Sequence, residues 1–388
     1  MTYDFDQIIN RRGTNSMKWD EAEDPEVIPM WVADMDFAVA PCITEALHER
    51  INHPVFGYTF VPESYYEAVI SWFARRHQWH IRREWIQYTS GVVPAVSCCI
   101  KAMTQPGDNV LVLTPVYNCF FSSIRNNKCN ILESALLPVG DSFEIDYADV
   151  EKHCAKAETK ILLLCNPHNP AGRVWTKQEL SRINDICVKH GVIVVSDEIH
   201  CELTMPGYEY TPFANVSEEC LNNSITLNSP SKSFNTAGLQ IANIICSNAD
   251  WQARIDRAIN DNEVCDVNPF GVIALQAAYN KGEEWLDALR AYIYNNYKAL
   301  KEFLEREVPC VKIHKLEGTY LVWADISALG ISADELSERL IKEGKVWMTS
   351  GNVYHDPASQ HHLRINIACP REQMMEGLQR MAKTLSIN

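Results

Sequence analysis

Residues 161–200 read ILLLCNPHNPAGRVWTKQELSRINDICVKHGVIVVSDEIH and contain two short apolar runs separated by a polar stretch. The runs at 161–165 and 192–195 have the length and composition of strands that are buried on both faces. Between them, Thr176 followed three residues later by Glu179 forms the pattern of a capping box, which begins a helix. This stretch therefore predicts two parallel strands joined by a right-handed helical crossover.

Similar apolar runs lie at 110–113, 225–227 and 241–246. Continuous apolar strands of this kind predict a mainly parallel sheet with helices on both faces. After about residue 275 the pattern changes, and amphipathic helices are expected at 281–306 and 333–343, with a hairpin at 311–325. The last third of the chain therefore predicts a separate α+β lobe.

Length and composition exclude several classes of protein. The chain has 388 residues, of which 46% are hydrophobic and 22% charged, as expected for a globular protein with a large domain and a smaller one. The net charge is −15 and basic runs are absent, which argues against nucleic-acid binding. The acidic start MTYDFD lacks the apolar segment of a secretory signal, and the apolar runs are too short to span a membrane. The 14 cysteines are scattered without a CxxC pair, so we expect no metal site and a location in the reducing cytoplasm.

Polar residues follow the predicted carboxyl ends of the strands. They are Asn169 in NPHNPAG (166–172), Asp197 and His200 in SDEIH (196–200), Ser229, Ser231 and Lys232 in NSPSK (228–232), and the helix start GVVP (91–94). In open α/β sheets, ligands bind in the crevice outside these strand ends. We therefore expect the polar groups to converge on one crevice.

Each motif has a simpler interpretation when it is taken alone. Asn169 suits a turn, Asp197 suits a helix cap, and His200 suits a buried structural histidine. The serines suit an ordinary loop, Pro94 suits the first turn of a helix, and Lys232 can reach solvent from a loop. These interpretations require separate coincidences at one edge of one sheet, which favours a shared ligand site.

The chemistry of these groups suits an aromatic aldehyde that carries a phosphate. The N–H groups at the predicted helix start and the serine hydroxyls suit the phosphate. A buried carboxylate such as Asp197 keeps a pyridine nitrogen protonated, while Asn169 and His200 offer donors to a phenolic oxygen. Lys232, in a partly desolvated and cationic site, would be a neutral nucleophile for the aldehyde. Tyr117 is either a stacking partner of the ring or a core tyrosine.

The motifs NPxNPxG, SDEIH and SxSK, in this order and spacing, resemble the fold-type I pyridoxal 5′-phosphate enzymes of the class I/II aminotransferase superfamily. The stretches NRRGTNSMKWD (10–20) and MWVADMDF (30–37) resemble the MalY/PatB branch, which contains cystathionine β-lyases and related carbon–sulfur lyases. The resemblance covers nearly the whole chain and implies an α/β fold of the aspartate-aminotransferase type. It implies a large cofactor-binding domain at 41–280 with a mainly parallel seven-stranded sheet, and a smaller α+β domain formed by 1–40 and 281–388.

The resemblance also implies roles for individual residues. Lys232 would form the Schiff base with the cofactor and act as the catalytic residue, Asp197 would pair with the pyridine nitrogen, and Arg364 would clamp the substrate carboxylate through paired hydrogen bonds. The remaining residues expected at the cofactor are Val92, Val93, Tyr117, Asn169, His200, Ser229 and Ser231, of which Tyr117 and Asn169 also face the substrate. Tyr58 would reach the phosphate of a neighbouring subunit, so a homodimer is implied.

Two positions depart from the pattern of many relatives. Eight residues after Lys232, where many relatives carry an arginine that pairs with the phosphate, this chain has Gln240. Three residues after Asp197, where many aminotransferases carry a tyrosine, it has His200. Both differences resemble the lyase branch. The first predicts that binding of the cofactor phosphate depends more on the N–H groups of the helix start.

The branch resemblance predicts β-elimination from L-cystathionine, and from L-cysteine or related S-conjugates, to a thiol, pyruvate and ammonia. Transamination is the alternative, since it shares the early steps and differs in where the proton returns. A further alternative is a protein of this fold with an additional regulatory binding role. A nicotinamide enzyme is disfavoured because no GxGxxG motif follows a strand.

Overall fold

The computed structural model describes residues 3–261, 263 and 265–386. Its strands are β1 (Ile28–Pro29), β2 (Ile86–Thr89), β3 (Asn109–Thr114), β4 (Asn130–Ala135), β5 (Leu137–Val139), β6 (Ser142–Glu144), β7 (Thr159–Cys165), β8 (Ile193–Asp197), β9 (Ser224–Asn228), β10 (Ala242–Ile245), β11 (Lys312–Ile313), β12 (Leu321–Asp325), β13 (Val346–Trp347), β14 (Thr349–Ser350) and β15 (His362–Asn366). Its helices are α1 (Met17–Asp20), α2 (Pro41–Ile51), α3 (Glu63–His77), α4 (Val92–Met103), α5 (Cys119–Asn126), α6 (Tyr147–Cys154), α7 (Lys177–His190), α8 (Glu218–Asn222), α9 (Ala249–Asn260), α10 (Pro269–Lys281), α11 (Glu283–Glu307), α12 (Ala333–Arg339) and α13 (Arg371–Leu385).

The central sheet has seven strands in the described part of the chain, in the order β2-β10-β9-β8-β7-β3-β4. Every neighbouring pair from β9 to β4 is parallel, whereas β10 runs antiparallel to both β9 and β2. Cys165 at the end of β7 pairs with Asp197 at the end of β8, and Asp197 pairs with Leu227 of β9. The predicted mainly parallel sheet is confirmed, and its register brings these strand ends to one edge.

The crossover between β7 and β8 follows the sequence prediction. Helix α7 begins with the capping box, in which the Glu179 N–H donates to Thr176 Oγ1 at 3.2 Å and the Thr176 N–H donates to Glu179 Oε2 at 2.8 Å. The helix ends at His190 and is followed by Gly191, which has a φ of +67° and so adopts the left-handed conformation that glycine accepts at little cost. The cap and the glycine return the chain to the sheet beside β7.

Both faces of the sheet are covered by helices, and alternate side chains of each strand point to opposite faces. Val110, Val112 and Leu163 pack into a cluster with helices α4, α5 and α9. On the other face, Leu111 and Leu162 pack into a cluster with residues of α6 and α7. This double burial explains why the strands appear in the sequence as continuous apolar runs.

The C-terminal lobe contains a second sheet in the order β11-β12-β15-β14. The predicted hairpin is present, since Lys312 of β11 pairs antiparallel with Asp325 of β12. The helix expected at 333–343 is α-helical only to Arg339 and continues as a π-helical turn over Leu340–Gly344. Near the N-terminus, Ile28 pairs in parallel with Val346, so part of the first 40 residues joins this lobe. The domain boundaries at 41–280 and 281–388 stay a prediction.

Among the helices of the described ranges, none combines the length and the apolar character needed to cross a membrane.

Candidate active site

A cavity of about 300 Å³ lies at the carboxyl edge of the central sheet. The predicted residues on its wall are Val92, Val93, Tyr117, Asn169, Asp197, His200, Ser231 and Lys232. They come from the ends of separate strands and from the start of α4, as expected for the crevice of an open α/β sheet. The fold therefore brings most of the predicted residues to one place.

Three predicted residues are not on the cavity wall. Ser229 is buried, and its hydroxyl donates to the carbonyl oxygen of Ile241 at 2.6 Å and accepts from the Ser231 N–H at 3.1 Å. Arg364 lies just behind the wall and contacts the cavity through Asn169. Tyr58 is 100% exposed in the single chain, within a segment that also exposes Phe60.

Lys232 carries the reactive amine expected of the site. Its Nζ donates to the carbonyl oxygen of Ala33 at 2.6 Å. Burial, followed by the nearby Arg364 guanidinium, lowers the pKa of Lys232 to about 8, although Asp34 and Asp197 act in the opposite direction. The amine therefore loses its proton more readily than an ordinary lysine and can act as a nucleophile or base.

Asp197 ends β8 and is only 3% exposed. Burial raises the pKa of its carboxyl group to about 7, and the Ile199 N–H, which donates to Oδ1 at 3.1 Å, and the Lys232 charge oppose this rise. A carboxylate held in this way gains more from a cationic partner than one in water, because desolvation leaves its charge poorly compensated. The protonated nitrogen of a pyridine ring would be such a partner.

Asn169 and Arg364 form the side of the site that faces the C-terminal lobe. The Arg364 Nη1 donates to Asn169 Oδ1 at 3.2 Å, and its Nη2 donates to the carbonyl oxygen of Trp31 at 2.8 Å. Arg364 is only 6% exposed, and its Nε has no hydrogen-bond partner among the described residues. A buried guanidinium with an unused donor is a suitable receptor for a carboxylate.

His200 is buried on the cavity wall beside the ring of Tyr320, with 6.1 Å between the ring centroids. Burial, and then the charges of Lys232 and Arg364, hold the pKa of its imidazole well below the usual value, so the ring is neutral. Its Nδ1 also lacks a hydrogen-bond partner within the described ranges. This atom is therefore available to a ligand in the cavity.

The far end of the cavity is formed by the start of α4 and by the loops after β9. Gly91 and Val92 place the first free N–H groups of α4 at the wall, where a helix N-terminus favours an anion. Ser231 contributes a hydroxyl, and Gln240 lines the wall where many relatives have an arginine. The end of the cavity that suits a phosphate is therefore formed by helix N–H groups, a hydroxyl and a side-chain amide. Its described wall residues include no permanent cation.

These features fit pyridoxal 5′-phosphate as the resident group. The cavity offers a carboxylate for the ring nitrogen, an amine for the aldehyde, a helix N-terminus for the phosphate and the half-buried ring of Tyr117 on the wall. The unpartnered donors and acceptors of His200 and Arg364 are the buried atoms that a bound cofactor and substrate would engage.

Several residues of the site were not predicted from the sequence. Cys165 and Ala33 line the cavity, and Cys165 Sγ accepts a hydrogen bond from the Asn169 N–H at 3.4 Å. Tyr320 donates its hydroxyl to the Ala33 carbonyl at 2.9 Å. Cys165 ends a strand and Ala33 lies in the recognised MWVADMDF stretch, so both had a positional signal. Tyr320 had none beyond its place in the predicted hairpin.

A family model, "Aminotransferase class I and II", matches residues 25–381. The chain belongs to this family. Cystathionine beta-lyase PatB of Bacillus subtilis (strain 168) is 40% identical over 386 residues, which are 98% of this chain and 100% of that protein. The family assignment predicted from the motifs is therefore confirmed.

Solved structures of the family agree with the fold. Cystalysin from Treponema denticola, whose structure contains a pyridoxal 5′-phosphate cofactor, superimposes with a TM-score of 0.96 at 38% identity, covering 100% of this chain and 99% of that chain. The C-S lyase from Staphylococcus hominis bound to the same cofactor superimposes with a TM-score of 0.93 at 36% identity, and each chain is covered fully, at 100%. The predicted aspartate-aminotransferase-type fold is thus confirmed.

Proposed function

We propose that this protein is a pyridoxal 5′-phosphate-dependent carbon–sulfur β-lyase that cleaves L-cystathionine to homocysteine, pyruvate and ammonia. The observation that carries the proposal is the pairing of Lys232 and Asp197 in one buried cavity, in a chain 40% identical to a cystathionine β-lyase over nearly its full length. L-Cysteine and related S-conjugates are the further substrates that the same chemistry accepts.

In this proposal the substrate is oriented by side chains behind the cavity wall. Arg364 binds the α-carboxylate through its planar guanidinium, and Asn169, which already contacts Arg364, limits how far that guanidinium can turn. With cofactor and substrate bound, Lys232 Nζ would be the base that takes the proton from the α-carbon. Because its pKa is about 8, the amine can accept this proton and later release it.

Bound pyridoxal 5′-phosphate supplies the electron sink that accepts the electron pair left at the α-carbon. Asp197 keeps a proton on the ring nitrogen through its buried negative charge, which is the contribution of this chain to that sink. The carbon–sulfur bond then breaks, the thiolate leaves with the bonding electrons, and the remaining unsaturated amino acid hydrolyses to pyruvate and ammonia.

The test is an assay of the purified protein with L-cystathionine, with L-cysteine and with an amino acid plus a keto acid. The expected products from L-cystathionine are homocysteine and pyruvate in equal amounts, with no conversion of the keto acid to an amino acid. A new amino acid formed without thiol would replace the lyase with a transaminase.

The cofactor affinity depends on Gln240 in this proposal. Gln240→Arg is expected to slow the release of pyridoxal 5′-phosphate about tenfold, because a charge-assisted bond to the phosphate is roughly twice as strong as a neutral one. Gln240 has a φ of +53°, and arginine meets the same backbone demand as glutamine there. The loss of cofactor absorbance after dilution measures the rate. Gln105→Arg, at an exposed position away from the cavity, is the matched control, and equal slowing in both variants would contradict the assigned position of Gln240.

We also propose that two copies of the chain associate and that each supplies Tyr58 to the other copy's phosphate. The support is an exposed apolar segment in which Val55, Phe56, Tyr58 and Phe60 are 64%, 55%, 100% and 82% exposed. A contiguous exposed group of large apolar side chains is typical of a protein interface.

The free thiols of all 14 cysteines fit a reducing compartment, which we propose is the cytoplasm.

Tyr58→Phe is expected to lower cofactor affinity about tenfold through the loss of one hydrogen bond to a charged group. Mixing this variant with Lys232→Ala provides a sharper measurement. In a mixed dimer, one site combines the intact Lys232 of one chain with the intact Tyr58 of the other. At a cofactor concentration too low to load the Tyr58→Phe protein, activity should therefore exceed that of either parent. Without such recovery, Tyr58 does not act across the interface.

A further inference from the structure

Residues 31–34, here named the clamp segment, contact both cationic side chains of the proposed site through backbone carbonyl groups. The side chain of Ala33 lines the cavity. The segment lies about 200 residues from one of its cationic partners and more than 300 from the other, so tertiary structure alone brings them together.

The Ala33 carbonyl oxygen accepts two hydrogen bonds. One comes from Lys232 Nζ at 2.6 Å and the other from the Tyr320 hydroxyl at 2.9 Å. A carbonyl oxygen has two lone pairs, and both are therefore used. The fully buried ring of Tyr320 holds this carbonyl in place independently of the lysine.

The Trp31 carbonyl oxygen repeats this arrangement. It accepts from Arg364 Nη2 at 2.8 Å and from Thr349 Oγ1 at 3.1 Å. Thr349 of β14 is the cross-strand partner of Arg364 on β15, so the hydroxyl and the guanidinium come from neighbouring strands. Each of the two site cations thus shares a clamp carbonyl with a hydroxyl group from the C-terminal lobe.

Asn366 binds the other two carbonyl groups of the clamp segment. Its Nδ2 donates to the carbonyl oxygen of Val32 at 2.6 Å and to that of Asp34 at 2.7 Å, and its Oδ1 accepts from the Ala368 N–H at 2.8 Å. It is 1% exposed and lies two residues after Arg364 on the same strand. The side chains of both residues therefore project from one face of β15.

We infer that the clamp segment sets the distance between the Lys232 amine and the Arg364 guanidinium, with Tyr320, Thr349 and Asn366 as positioning residues. The inference rests on the proposed function, in which one group takes the α-proton and the other binds the α-carboxylate. The α-proton and the α-carboxylate are attached to the same carbon atom, so a small error in the spacing misaligns the proton with the base. None of the three positioning residues needs to touch the substrate.

Two measurements on the full chain loaded with pyridoxal 5′-phosphate distinguish an effect on Lys232 from an effect on Arg364. The exchange of the α-proton of L-alanine with solvent deuterium, followed by NMR, reports the action of Lys232 and requires no leaving group. The dissociation constant of 2-methylalanine, which has no α-proton, reports how tightly Arg364 binds the α-carboxylate. Because neither measurement involves thiol release, failure of the lyase proposal and failure of this inference give different results.

Tyr320→Phe is expected to slow proton exchange at saturating L-alanine about tenfold and to change the dissociation constant of 2-methylalanine less than about twofold. Thr349→Val should give the reverse pattern, with weaker binding of 2-methylalanine and little change in exchange at saturation. Asn366→Ala should impair both, lowering the exchange efficiency about 100-fold, because it releases the whole segment.

Asn296→Ala is the matched control for the change at Asn366. Asn296 is also fully buried, and its Nδ2 also bridges two carbonyl groups, those of Ile367 at 2.9 Å and Cys369 at 2.8 Å. It should lose similar thermal stability while keeping both measurements within about twofold of the original protein. Equal functional losses at Asn296 and Asn366, or parallel changes in both measurements with Tyr320→Phe, would overturn the inference.

Discussion

Lys232→Ala is expected to lower kcat/KM for L-cystathionine by about 1,000-fold or more, which is the usual effect of removing a positioned general base. The variant also loses the amine that binds the cofactor, so it should not develop the visible absorbance of the loaded protein. The fold should persist, because the hydrogen bond that Lys232 Nζ makes within the described residues is to the Ala33 carbonyl, which retains the Tyr320 hydroxyl as donor.

Circular dichroism and thiol release, measured on the same preparation, test this result. Lys177→Ala, at an exposed position at the start of α7, is the control and should keep full activity. Wild-type thiol release by a correctly folded Lys232→Ala protein would remove the basis of the proposed mechanism.

Asp197→Asn is expected to lower kcat/KM about 1,000-fold while making the cofactor-free protein more stable at pH 8. The amide cannot supply the negative charge that keeps a proton on the ring nitrogen, so the α-carbanion loses its stabilisation. In the cofactor-free protein, the same charge is unfavourable, because burial raises the pKa of Asp197 to about 7 in the folded state. The variant would therefore gain stability and lose activity.

The sign of the stability effect follows from proton linkage. The pKa of an aspartate in the unfolded chain is about 3.9, and the pKa of Asp197 in the folded protein is about 7. Such a group destabilises the fold increasingly as the pH rises through this interval, and the destabilisation is complete above pH 7. The difference in melting temperature between Asp197→Asn and the original protein should therefore narrow as the pH falls from 8 to 5. Asp185→Asn, at an exposed position on α7, is the matched control. A cofactor-free Asp197→Asn protein that is less stable at pH 8 would contradict the unfavourable burial of this charge.

The sequence alone determined the central sheet and the position of most of its polar strand ends. Burial on both faces requires continuous apolar runs, and the capping box with Gly191 is a local signal that needs no distant contact. Because the strands are parallel, residues that follow them, such as Asn169 and Lys232, are brought to one edge whatever the details of packing.

Only the tertiary structure decided how the site is held together. Lys232 contacts Ala33 across 199 residues of sequence, and Arg364 contacts Trp31 across 333. The hydroxyl of Ser229 donates to the carbonyl of Ile241, 12 residues further along the chain. Apolar periodicity and turn chemistry describe only neighbouring residues, whereas these contacts depend on how the N-terminal segment and the C-terminal lobe pack against the sheet.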